Sequence, residues 1–179
     1  MQDLSKFRLP DNFRGKNALI VQLWWFTQST LFALSPRFAY GWRRFLLRLF
    51  GAEIGKKVLV RPSAKITYPW KLKIGDWSWI GDDVVLYTLG EIEIGKNTVI
   101  SQKSYICTGS HDMYSENFDI FAEKIVIKDG CWIATDVFVA PGVVIEKNVV
   151  VGARSSVFHS LPENSICLGT PAKPVKKRF

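Results

Sequence analysis

The 179 residues suit one domain with an appendage, and 47% hydrophobic with 22% charged residues describes an ordinary water-facing protein with a sizeable core. The formal net charge of +8 favours an anionic partner without choosing among phosphate, lipid and nucleic acid. Two histidines and three cysteines (Cys107, Cys131, Cys167), none in a CxxC pair, exclude a Cys/His metal cluster and a disulfide framework, and the scattered thiols read as reduced, in a cytoplasmic protein.

Residues 1–50 read as a helical segment. ALIVQLWWFTQSTLFAL (18–34) is apolar but interrupted by Gln22, Thr27, Gln28, Ser29 and Thr30, and it falls short of the ~20 apolar residues of a membrane span. A buried or interfacial helix is expected there. SPRFAYGWRRFLLRLFG (35–51) carries helix punctuation: Ser35 as N-cap, Pro36 at the first helical position, Gly51 at C′. Phe38, Trp42, Phe45, Leu46, Leu49 and Phe50 recur at helical spacing, with Arg37, Arg44 and Arg48 opposite. Two roles stay open for residues 17–50. A basic amphipathic helix can lie on an anionic membrane, or it can cap the end of the domain that follows.

From Ile54 the period changes. An aliphatic residue returns every six positions: Ile54, Val60, Ile66, then Ile74, Ile80, Leu86, then Ile94, Ile100, Ile106. Nearly every start is followed four residues on by a small residue, such as Val58, Ala64, Ser78, Thr98 or Ser110. The steps from 66 to 74 and from 86 to 94 are eight residues long. A loop over 109–124 then breaks the pattern, and the six-step resumes at Ile127, Ile133, Val139, Ile145, Val151 and Val157. Short strands joined by tight corners, each turn of chain stacked on the last, satisfy this pattern; the aliphatic residue and its small partner fill a narrow core. Cys131 occupies a small-partner position and reads as packing. The domain spans 51–168, and a basic tail, 169–179, closes the chain.

PRFAYGWRRFLLRLFGAEIGKKVLVRPSAKITYPW, ISQKSYICTGSHD, GCWIATDVFVAPGVVI and GTPAKPVKKR carry a family likeness. The chain resembles the hexapeptide-repeat acyltransferases, and among them the colanic-acid-biosynthesis-type O-acetyltransferases, relatives of the maltose, galactoside and nodulation enzymes. The resemblance implies a mainly β fold, a left-handed parallel β-helix, although parallel crossovers are usually right-handed. It also implies a homotrimer with active sites between subunits, acetyl-CoA as co-substrate and no metal.

By that resemblance His111, in TGSHD at the break, is the general base, and an imidazole is chemically suited to take a hydroxyl proton near pH 7. Asp112, Glu116 and Asp119 stand ready to orient the ring or hold sugar hydroxyls, unranked by the sequence. The acceptor is expected near Tyr87, Thr88 and Asp112. The resemblance places Trp132 near the thioester, Ala134, Thr135 and Ala153 along the pantetheine arm, and Arg154 toward phosphate. Gly169, Thr170, Pro171 and Lys173 of the closing element are expected to meet the cofactor too. His159 reads as a surface or cofactor-rim residue.

The reading is therefore an acetyl-CoA-dependent O-acetyltransferase acting on a sugar hydroxyl in exopolysaccharide, capsule or lipopolysaccharide synthesis. It would be cytoplasmic, with possible peripheral membrane contact through 17–50. An N-acyltransferase on an amino sugar and a non-catalytic membrane-associated binding module remain as alternatives. A γ-carbonic-anhydrase-type zinc enzyme needs three histidine ligands and has only two available, and no nucleic-acid motif accompanies the basic residues.

Overall fold

The computed structural model describes residues 2–179, so of the segment expected over 1–50 only Met1 lies outside the described residues. All fifteen aliphatic starts from Ile54 to Val157 are buried, none more than 8% exposed. Each closes or lies within a two- or three-residue strand, too short to stand alone, which pairs in parallel with its counterparts on neighbouring coils. Three sheets result, making a three-faced solenoid. The first face stacks Glu53–Ile54, Leu72–Ile74, Ile92–Ile94, Ile125–Ile127 and Val144–Ile145. The second stacks Leu59–Val60, Trp79–Ile80, Val99–Ile100, Trp132–Ile133, Val150–Val151 and Ser165–Gly169. The third stacks Lys65–Ile66, Val85–Tyr87, Tyr105–Cys107, Phe138–Val139 and Ser156–Val157.

Both eight-residue steps and the long break fall at one corner, where the third face passes to the first. Thr88 and Thr108 hold it. The Thr88 hydroxyl accepts from the Tyr68 amide at 2.6 Å and donates to the Tyr68 carbonyl at 2.9 Å. Thr108 Oγ1 accepts from Gly90 N at 2.8 Å and donates to Tyr87 O at 2.6 Å. Thr108 is buried, whereas Ser110, the expected small core residue of this coil, is exposed. The chain leaves the stack two residues earlier than the six-step predicts.

Within the solenoid, N–H groups of one coil donate to carbonyls of the next, as Leu59 does to Ser78 and Arg61 to Ile80. The first coil has no predecessor, so the carbonyls of Ile54, Val58, Val60 and Ile66 would be orphaned. The N-terminal segment supplies the missing donors. Helix α1, Ala18–Thr27, runs on into a π-helical turn, Gln28–Phe32, and helix α2 spans Tyr40–Leu49. Trp24 Nε1 donates to Ile66 O at 2.8 Å, Arg43 Nε to Val60 O at 2.6 Å, Arg44 Nη1 to Val58 O at 2.8 Å and Arg48 Nη2 to Ile54 O at 2.7 Å. The capping role left open by the sequence is thus built in.

Two expectations for α2 change as a result. It starts at Tyr40, not Pro36, because Pro36 and Arg37 form a turn whose carbonyls point at the buried Arg43 guanidinium, 2.8 and 2.7 Å away. Ser35 donates to Phe32 O and accepts from Arg43 rather than capping the helix. The helix is also turned over. Leu46, Leu47 and Arg43 face the solenoid, while Phe38, Trp42, Phe45 and Leu49 are exposed. Gly51, in the left-handed region at φ +90°, ends the helix as expected. At the other end, 169–179 is not a free tail: Ala172–Lys177 folds back antiparallel on Ser165–Gly169, and Arg178 donates to Gly130 O at 2.7 Å.

Candidate active site

At the break, Gly109–His111 and Ile120–Ala122 form an antiparallel hairpin that stands off the corner, pairing Gly109 with Ala122 and His111 with Ile120. The TGSHD stretch builds it residue by residue. Thr108 locks the corner, and Gly109 passes so close to Leu89 that a Cβ there would sit 2.6 Å from Leu89 Cδ1. His111 then sits at the end of the first strand, half-buried.

Its imidazole is held by the hairpin's own turn. Nδ1 lies 2.8 Å from Phe118 O, and the Phe118 ring stacks on the imidazole with centroids 4.0 Å apart and planes 6° apart. Phe118 has φ +53°, which lets one residue present both carbonyl and ring to the histidine. A carbonyl only accepts, so Nδ1 carries the hydrogen and the Nε2 lone pair remains free. None of the three carboxylates proposed from sequence orients the ring. Asp112 Oδ1 accepts from Tyr114 N at 2.9 Å, Asp119 Oδ2 from Ser115 Oγ at 2.6 Å, and Glu116 Oε1 from Lys6 Nζ at 2.5 Å. A cleft of roughly 410 Å³ opens beside the histidine, lined by His111, Asp112, Met113, Tyr114, Phe121 and Glu123 among others.

The residues expected along the cofactor gather at a different corner, between the second and third faces. Trp132 is exposed and donates to Ser101 Oγ at 3.0 Å. Ala134 is buried, its N–H donated to Val151 O and its carbonyl accepting from Ser104 Oγ, so it offers no backbone donor. The amides of Thr135 and Ala153, one coil apart, have no hydrogen-bond partner among the described residues. Arg154 donates its backbone N–H to Thr135 O and holds Asp136 at 3.5 Å in an exposed pair. Gly169 and Thr170 follow on the next coil, Gly169 N bonding Ser155 Oγ at 3.0 Å. Pro171 completes the turn into the closing hairpin, where Lys173 pairs with Leu168.

The chain is 65% identical over 178 residues to the colanic acid biosynthesis acetyltransferase WcaF of Escherichia coli (strain K12), covering 99% of this chain and 98% of that one. It belongs to the hexapeptide-repeat acetyltransferases. A maltose O-acetyltransferase from Clostridium difficile 630 matches its structure with TM-score 0.82 at 26% identity, over 90% of this chain and 89% of that one. A hexapeptide-repeat acetyltransferase from Vibrio cholerae O1 biovar eltor, solved with acetyl coenzyme A, shares the fold across 100% of both chains, with TM-score 0.85 at 24% identity. No protein-family model matches the chain. The protein is an acetyltransferase of polysaccharide biosynthesis, and its solenoid is that family's left-handed β-helix.

In a single protomer, this acetyltransferase does not bring its expected base and its expected cofactor column together. His111 leaves the end of the third face, whereas Trp132, Thr135, Ala153 and Arg154 lie at or before its beginning. Tyr87 ends its strand on the third face beside Cys107, half-buried against Tyr105 with centroids 5.9 Å apart; burial raises both phenols, Tyr105 to about 12, so each remains a hydrogen-bond donor at neutral pH. Thr88 is fully buried with its hydroxyl committed to Tyr68, so it holds the corner. Sequence reasoning missed Phe118 and Phe7, the latter 5.9 Å from the His111 ring. Neither contact leaves a periodic signal.

Proposed function

We propose that the chain transfers an acetyl group from acetyl-CoA to a sugar hydroxyl, with Nε2 of His111 as the general base. The observation that carries this is the Nδ1–H bond to the Phe118 carbonyl, which fixes the tautomer a base requires. Acetyl-CoA would supply the acetyl group as an activated thioester. Nε2 takes the hydroxyl proton as the sugar oxygen attacks the acetyl carbonyl, and the imidazolium then returns that proton to the departing sulfur. The stacked Phe118 ring keeps the imidazole in plane through both transfers. Amines already neutral have less need of a base, so an oriented histidine favours O- over N-acetylation.

Trp132, the unpartnered Thr135 and Ala153 amides, Arg154 and Lys173 would hold the cofactor, and their separation from His111 within one chain supports a homotrimer whose sites form between subunits. Acetyl-CoA is a cytoplasmic metabolite, which supports action at the cytoplasmic side. The decisive measurement is thiol release against a panel of sugars and nucleotide sugars. His111→Ala should lose about 10²–10⁴-fold in rate while still binding acetyl-CoA. A variant as fast as wild type overturns the assignment.

We further infer that the outward face of the N-terminal cap rests on an anionic lipid surface. No helix among the described residues is long and apolar enough to cross a membrane. Yet Leu23, Phe26, Leu34, Phe38, Phe45 and Leu49 are each more than half exposed, in a chain of net charge +8. Removing residues 1–50 would orphan the first-coil carbonyls, so the appropriate variant is the triple substitution Phe26→Ser, Phe38→Ser, Phe45→Ser. Wild type should float with vesicles containing phosphatidylglycerol and the triple variant should not. Equal behaviour refutes lipid contact, and a change in oligomer mass would assign the face to a contact between copies.

A further inference from the structure

Residues 2–16 carry no motif, yet they run along the bulged corner as far as the His111 hairpin. At one end, Trp70 Nε1 donates to Arg14 O at 2.7 Å and Lys71 Nζ to Phe13 O at 2.6 Å. Phe13 packs against a small cluster of Val21, Tyr68 and Leu89 that Ile120 and Ala122 of the hairpin also join. At the other end, Asp3 N donates to Glu116 O at 2.8 Å, and Lys6 Nζ bonds the Glu116 carboxylate. Between them Phe7, half-buried, meets the His111 ring at 5.9 Å with planes 53° apart.

We propose that this arm is a strap that holds the His111 hairpin, with Phe7 as a positioning residue for the imidazole. The hairpin needs one. Apart from the Gly109 end and the Ile120–Ala122 strand it stands away from the solenoid, and Tyr114 at its tip is 92% exposed. The Phe118 bond fixes the ring relative to the hairpin, but only contacts from outside can fix the hairpin relative to the rest of the site. The arm supplies a hydrogen bond, an ion pair and an aromatic contact to that hairpin. Phe7 touches the histidine and no reacting atom, so it acts through His111, and the proposal rests on His111 being the base.

The test uses the full-length protein and two readouts. With only two histidines in the chain, and His159→Asn to assign them, the His111 ring resonances can be followed directly by NMR. Phe7→Ala should shift those resonances and leave His159 unmoved. It should lower kcat by roughly 10- to 100-fold, since a displacement of ~1 Å can cost about 10²-fold, with KM for acetyl-CoA unchanged. Phe7→Trp should recover most of the loss. Unchanged His111 resonances and kcat in Phe7→Ala would overturn the strap. If His111→Ala proves fully active, the base assignment fails, while the NMR shift still reports whether the strap exists. Lys6→Met and Glu116→Gln, both on exposed side chains, should each lower kcat by about 1.4- to 5-fold, and the double variant should be no worse than either single one. Additive losses in the pair would refute the ion pair's part in the strap.

Discussion

Replacing Arg43 by methionine tests whether the N-terminal cap stands in for a missing coil. The guanidinium is fully buried and makes four hydrogen bonds, to Val60 O, Ser35 Oγ, Pro36 O and Arg37 O, all between 2.6 and 2.8 Å. Burial lowers its pKa from the ordinary value, partly opposed by Tyr40, whose ring lies 4.9 Å away. Hydrogen bonds from a charged donor contribute about 1.5–3 kcal/mol each. Removing the charge also recovers the desolvation it had cost, several kcal/mol, and methionine fills part of the volume. Set against the loss of four such bonds, this leaves a net cost of about 3–5 kcal/mol. In a solenoid each coil contacts only its neighbours, so the loss should concentrate at one end. Thermal melting should begin roughly 10 °C lower, at ~2–4 °C per kcal/mol for a chain of this size. Hydrogen exchange should quicken over residues 52–66 and stay slow over 125–151. If Arg43→Met lies within about 0.5 kcal/mol of wild type and protection at 52–66 is unchanged, the carbonyls are satisfied some other way and the cap argument fails.

Thr88→Val should cost about 1–3 kcal/mol by orphaning the Tyr68 amide and carbonyl, with KM for the acceptor unchanged in the folded fraction; a raised KM with unaltered melting would return Thr88 to the acceptor site. Alkaline titration followed by tyrosinate absorbance should show a phenol near pH 12, from Tyr105. Because burial raises this pKa above the unfolded value of 10, its stabilising contribution is whole below pH 10 and disappears as pH rises toward 12; stability independent of pH over 10–12 would contradict the burial.

The repeat and its single interruption were legible because burial in a two-residue strand depends on side-chain class alone. The eight-residue steps even marked the corner that carries the hairpin. The orientation of α2 was not legible. Helical periodicity says which side is apolar, and the ordinary inference turns that side inward. Here the surface being covered is a row of bare carbonyls, so arginines face in and Phe38, Phe45 and Leu49 face out. His111 could be found from TGSHD. The group that orients it could not, because Phe118 works through its backbone carbonyl and a left-handed φ, which no residue pattern announces. The bond from Thr88 to Tyr68 was not legible, because a threonine one coil before a histidine looks equally suited to a substrate and to a corner. Basic residues at the C-terminus read as a tail, although Ala172–Lys177 pairs as the last strand.

That the interruption is an accessory to the stack, and not part of it, can be tested by cutting it out. Gly109 and Ala122 are already cross-strand partners, and Glu123 N already donates to Thr108 O at 2.8 Å. Deleting residues 110–122 and joining Gly109 to Glu123 would turn the step from Ile106 to Ile127 into one of eight residues, the length found one coil below between Leu86 and Ile94. The strand Ile125–Ile127 would keep its register with Ile92–Ile94, since that register depends on the corner and not on what projects from it. Ile120 and Ala122 would be lost from the cluster around Leu89, at a cost of about 1–3 kcal/mol. The shortened protein should therefore melt within about 10 °C of wild type, with its β-sheet circular dichroism intact, and have no measurable acetyl transfer. Its first residues, deprived of Glu116 and His111, should become the first site cut by a protease. Collapse of the whole solenoid would mean that the hairpin organises the fold, and residual transfer would mean that the proton is taken by a group outside it.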